Sequence, residues 1–168
     1  MRLFLLLALA ASACVSHRPS SGDAPFRFER TAASGGGLRP VETTPSGPLG
    51  DDPALPGVRF NREIATYRVV RTAASLPDRY VVALVPSNPS HPMLERFEVS
   101  GPLGRAATSL GAVNEEVADA QGRTTLVPPG TYFTVSVERG EVRVALTPAA
   151  LRLLARGGTV SWVDAYRN

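Results

Sequence analysis

"TYFTVSVERGEVRVAL", Thr131 to Leu146, decides the fold class. Phe133, Val135 and Val137 alternate with polar residues, and Val142, Val144 and Leu146 resume the alternation after a short break. A period of two places each set on one face of a strand. Glu138-Arg139-Gly140-Glu141 lies between the sets, and Gly140 can take the positive φ that a bulged type I hairpin turn requires. The stretch predicts a β-hairpin whose apolar faces match across the pair.

The same period extends upstream. Ile64 to Arg71 (IATYRVVR) reads as a strand, and Leu76-Pro77-Asp78 turns the chain into Arg79 to Val85 (RYVVALV). That second run is apolar on both faces, which places it in the middle of a sheet or between two layers. Leu94 to Ser100 alternates with Phe97 and Val99 inward, a half-buried strand. Downstream the period changes. Thr147 suits an N-cap, Pro148 the first helical position, and Gly157-Gly158 a stop, so a helix is predicted over 147–156. Ala150, Leu151, Leu154 and Ala155 would share its buried face, opposite Arg152 and Arg156. Thr159 to Tyr166 (TVSWVDAY) returns as a last strand. The expectation is mainly β: a single antiparallel, β-sandwich-like domain over 58–168, with six or seven strands and one short helix. About 110 residues can bury such a core without disulfides.

Ahead of that domain the composition shifts. From Val15 to Gly57 there are seven prolines and seven glycines, with Gly35-Gly36-Gly37 in the middle. Apolar residues are too sparse there to offset the entropy of ordering, so 14–57 reads as a disordered linker that spans roughly 35 Å as a coil. Phe26-Arg27-Phe28 interrupts it and could fold on binding; a plain spacer is the simpler reading.

Met1-Arg2 and the unbroken apolar run Leu3 to Ala11 form a positive start and an h-region of secretory length, too short for a membrane span. Small residues Ala11-Ser12-Ala13 then precede Cys14, the single cysteine of the 168-residue chain. These residues resemble the lipobox of bacterial lipoprotein precursors. The resemblance implies a signal peptide over 1–13, diacylglycerol on the Cys14 thiol and acylation of the new amine, with several chains giving firm anchoring. It also implies outer-membrane residence, because Val15 replaces the aspartate that signals inner-membrane retention in many such proteins. Ala11 stands where the family usually has leucine, and Ala-Ser-Ala also suits ordinary signal peptidase, which would release a soluble protein. An unmodified lone thiol in an oxidising compartment would invite intermolecular disulfides, which favours the lipid.

A second, local resemblance covers 19 residues. Asp119, Gly122, Pro129, Gly130, Tyr132, Val135 and Val137 in "DAQGRTTLVPPGTYFTVSV" are spaced like the Asp-x-x-Gly and Pro-Gly-x-Tyr turns of carboxypeptidase regulatory-like sandwich modules. The likeness implies a structural or binding unit. The helix at 147–156 has no counterpart in those modules.

Chemistry is harder to find. All eighteen basic residues are arginine, scattered along the chain with a formal net charge of +3, and no basic block marks a nucleic-acid partner. The two histidines are His17 in the linker and His91 in a proline-rich turn, too few for a zinc site. No Gly-x-Ser-x-Gly elbow accompanies His91. Asn114, Glu115, Glu116 and Asp119 form the densest acidic group and read as a solvated loop; a hydrolase acting on cell-wall or glycan material would have to use Glu115, Glu116 or Asp119. Trp162 and Tyr166 could make a stacking platform, although a lone strand tryptophan more often anchors a core. No catalytic residue, cofactor or metal ligand is assigned. The sequence points to a membrane-anchored envelope lipoprotein, a non-catalytic module that binds or scaffolds a protein or glycan partner through its strand edges and the 114–119 segment.

Overall fold

The computed structural model describes residues 25–31, 57–61, 65–86 and 88–164. Cys14, His17, Tyr166 and most of the proposed linker lie outside them. The described residues form two sheets and a helix. In chain order these are β1 (Phe26–Arg30), β2 (Gly57–Asn61), β3 (Ala65–Arg71), β4 (Tyr80–Val85), β5 (Arg96–Gly101) and β6 (Gly104–Thr108). There follow β7 (Glu115–Asp119), β8 (Thr124–Val127), β9 (Phe133–Glu138), β10 (Glu141–Leu146), α1 (Pro148–Leu153) and β11 (Gly158–Val163). The larger sheet runs β1-β3-β11-β5-β6-β7-β8 and the smaller β2-β4-β10-β9. Every pairing is antiparallel except β2 with β4. The domain is mainly β and sandwich-like.

The hairpin predicted from Thr131–Leu146 is β9–β10, in the register its side chains demand: Phe133 faces Leu146, Val135 faces Val144 and Val137 faces Val142. Its turn differs from the bulged form. Glu138 pairs directly with Glu141, leaving a two-residue loop in which both Arg139 (φ 53°) and Gly140 (φ 78°) are left-handed. Two positive φ values are the mark of a type I′ turn, whose twist matches that of the flanking strands.

β4 is buried on both faces, as its composition required. Tyr80, Val82 and Leu84 join the main core, and Val81 and Ala83 form a small second cluster with Ala145. The main core lies between the sheets. Tyr67, Phe97, Val99, Val160 and Trp162 from the larger sheet meet Phe133, Val142, Val144 and Leu146 from the smaller. Phe97 and Phe133 pack edge to face at 5.6 Å, worth about 0.5–1.5 kcal/mol beyond the area they bury.

α1 is shorter than the predicted 147–156 span. Thr147 has the extended conformation of an N-cap, but its hydroxyl does not cap the helix. It donates instead to the Thr131 carbonyl (2.9 Å), tying the helix start to the lead-in of β9. Ala150, Leu151, Leu153 and Leu154 are buried, while Arg152 and Arg156 are exposed. Among the described residues no helix is long and apolar enough to cross a membrane.

Two assignments made from composition are corrected. Phe26–Arg30, placed in the linker, is an edge strand paired with all of Tyr67–Arg71. Phe26 is buried against the Tyr80 ring (5.2 Å, edge on), and Phe28 stacks on the same ring at 6.2 Å. The two phenylalanines are spaced to put both rings on one strand face, and that face supplies the ordering energy their polar neighbours lack. The acidic segment read as a solvated loop is β7.

Candidate functional site

Alternation along β7 separates the acidic group. Residues 115 and 117 face inward and 116 faces outward, so adjacent glutamates have opposite environments. Glu115 is fully buried. Its Oε1 accepts the backbone N–H groups of Gly130 (2.8 Å) and Phe133 (3.1 Å), and its Oε2 that of Tyr132 (2.7 Å). The donors of the 128–133 segment are thereby fully accounted for. Pro128 and Pro129 have none, Thr131 donates to the Pro128 carbonyl, and the other three go to Glu115. This segment carries the chain from β8 in one sheet to β9 in the other. Glu115 is the latch of that crossover.

Glu116, on the outer face, lies in a row with Ala107 and Glu98 across three strands. Arg105 (3.1 Å) and Arg96 (3.5 Å) bridge it, and Arg96 also pairs with Glu98 at 2.7 Å. Desolvation would lower the Arg96 pKa; hydrogen bonds to Glu98 and Glu116 outweigh it and hold the guanidinium raised. Asp119 closes the turn into β8. Its Oδ1 accepts the N–H groups of Gln121 and Arg123, both at 2.9 Å, and its Oδ2 accepts from Arg123 Nε at 2.7 Å. Those contacts, the Arg123 backbone N–H first, hold its carboxyl below the ordinary 3.8.

These three carboxylates are not brought together. Glu115 and Glu116 point to opposite faces, and Asp119 lies four residues along the strand from Glu115, about 13 Å away. Two opposed carboxyl groups, which a glycosidase needs, are not formed by this trio. Asn114 is exposed, as is His91, whose backbone N–H closes a turn on the Asn88 carbonyl. Among the described residues no three His, Cys, Asp or Glu side chains converge on one point. Trp162 is buried, and its Nε1 has no hydrogen-bond partner among the described residues. It is a core residue and no platform.

What the topology does create is an overhang. One inward row crosses six strands in register: Tyr67, Val160, Val99, Ala106, Val117 and Thr125. The first four are fully buried, Val117 is half-buried and Thr125 is exposed. Cover thins across β7, where Glu115 is still enclosed, and ends at β8, where Thr124, Thr125 and Leu126 are exposed. A groove of about 500 Å³ lies here, lined by Leu103, Val117, Val127, Tyr132 and Leu153 together with the Asp119–Arg123 pair. Tyr132 is fixed there because its own N–H is one of the three that Glu115 holds. Sequence reasoning singled out the 114–119 segment but missed Tyr132 and Val127 as lining residues. The available signal was Pro-Pro-Gly, which marks a crossover without saying which face it leaves open.

No protein-family model matches the chain, no curated protein matches it, and no solved structure matches it.

Proposed function

We propose that the protein is a lipid-anchored module of the bacterial envelope that binds an extended partner, a glycan strand or a protein segment, without catalysis. The observation that carries this reading is the overhang groove: a concavity lined by apolar side chains, one positioned aromatic ring and an ion pair. Binding sites combine an apolar lining with a few placed polar groups. The Cys14 lipobox and the likeness of Asp119–Val137 to sandwich binding modules support the assignment, the first by location and the second by type.

The anchor is tested by mass spectrometry of the mature N-terminus and by membrane fractionation of a Cys14→Ser variant. A diacylglycerol-modified Cys14 as first residue, and release of the variant into the soluble fraction, are expected. Equal soluble recovery of both proteins would remove the anchor. The groove is tested by co-sedimentation with isolated cell-wall glycan and with envelope protein fractions. Tyr132→Ala should weaken retention by about tenfold or more, the usual cost of losing an aromatic anchor. Unchanged retention would exclude the groove.

A further inference from the structure

Where β3 stops and β11 begins, the larger sheet carries a trough of about 530 Å³. Gly101, Gly157 and Gly158 are among its lining residues, and its charge is cationic: Arg68, Arg71 and Arg156 line it, with no Asp or Glu among the lining residues. Arg71 donates to the carbonyls of Ala73, Ala74 and Ala155, which fixes its guanidinium, and no carboxylate pairs with it among the described residues. Arg68 is 3.9 Å from Glu29, whose carboxylate is engaged by Arg27 at 2.7 Å. Elsewhere on the fold Arg96, Arg105, Arg123 and Arg143 each have an ion-pair partner within 3.1 Å. The hydroxyl residues Ser100 and Thr159 also line it, in register with Arg68 across the sheet.

The place where the chain enters the fold is beside this trough. Phe26 pairs with Arg71, and the Pro25 carbonyl accepts from the N–H groups of Thr72 (3.0 Å) and Ala73 (3.5 Å). Eleven residue-to-residue steps separate Cys14 from Pro25. They reach at most about 40 Å when extended and roughly 18 Å as a coil. A lipid on Cys14 would therefore hold the arginine-lined end within that distance of the lipid phosphates.

We propose that the trough binds the phosphate groups of anionic lipid headgroups, docking this end of the domain on the membrane to which it is tethered. The inference rests on the reading of Cys14 as the lipid anchor. Guanidinium forks match phosphate geometry, and tethering raises the local concentration of headgroups so that a weak site is occupied.

The test uses the full chain carrying Cys14→Ser, so its outcome is independent of lipidation. Co-sedimentation with phosphatidylglycerol–phosphatidylcholine vesicles is compared with pure phosphatidylcholine, so that any contribution of the apolar leader is common to both. Tighter binding to the anionic vesicles is expected, weakening as salt is raised. Arg68→Gln and Arg156→Gln should each lower it about fivefold, with unchanged melting temperature. Arg139→Gln, in the β9–β10 turn, should leave it intact. Equal binding to both vesicle types, wild-type binding by the two trough variants, or an equal loss with Arg139→Gln would each overturn the proposal. So would saturation of the site by millimolar inorganic phosphate with no added affinity for vesicles, since the ligand would then be free phosphate. Failure of the Cys14 mass spectrometry removes the anchor and leaves these vesicle results readable.

Discussion

Replacing Glu115 by alanine takes the acceptor away from three backbone donors at once, in a place water does not reach. An unsatisfied buried donor costs about 1–3 kcal/mol, so Glu115→Ala is expected to lose on the order of 3–5 kcal/mol in urea unfolding. Glu115→Gln keeps one acceptor oxygen and presents an N–H to another N–H, so it should lose about 1–3 kcal/mol. At Asp119 the effect depends on pH. Its carboxyl is held below the ordinary value by Arg123 and Gln121, so its contribution is present above the ordinary carboxylate range. It is lost as pH falls through the depressed value. Asp119→Asn should therefore be less stable than wild type at pH 7, and the two urea midpoints should converge between about pH 4 and pH 2. A gap that persisted at low pH would mean that the charge is not what holds the turn.

Among the elements, β1 and the β11–β5 pair carry the sharpest consequences. Phe26 is buried edge-on against Tyr80, and Phe26→Ala should cost about 3–5 kcal/mol in chemical denaturation. A spacer residue would cost nothing measurable. β11 approaches β5 so closely at Gly158 that a side chain has no room against the Ser100 carbonyl. Gly158→Ala sets a methyl group 2.1 Å from a carbonyl oxygen that cannot retreat without opening the sheet. The expected loss is about 3 kcal/mol, read as a melting temperature roughly 10 °C lower. Since Gly158 also lines the trough, this variant should weaken binding to anionic vesicles.

For the molecule as a whole, the boundary of the folded unit moves. With β1 in the larger sheet, the stretch between Cys14 and the first strand is 11 residues rather than 43, counted from Val15 to Pro25 and from Val15 to Gly57. A lipid on Cys14, as proposed above, would then hold the domain close to the membrane. A chain beginning at Pro25 should keep the urea midpoint of the full chain. One beginning at Ala32 loses both phenylalanine contacts to Tyr80 and should fall by about 3 kcal/mol or more. Equal midpoints for the two truncations would return the strand to the linker.

Period-two patterning was enough to read the β class, the β9–β10 hairpin with its register, the doubly buried β4 and a helix after Leu146. Each is a local property, since alternation selects a face and Pro and Gly mark where it stops. β1 escaped because its two phenylalanines lie in a proline- and glycine-rich stretch, and only the Tyr80 ring, more than fifty residues away, makes them core. Glu115 escaped because a carboxylate at an inward position breaks the apolar alternation. Its burial follows from three N–H groups delivered by a distant turn. The groove follows from unequal sheet widths, and the arginine trough from the way β3, β5 and β11 lie beside the turn after α1, which are relations between elements. Local chain chemistry determined the strands; tertiary packing decided which charges are buried, which are paired and which are left facing outward.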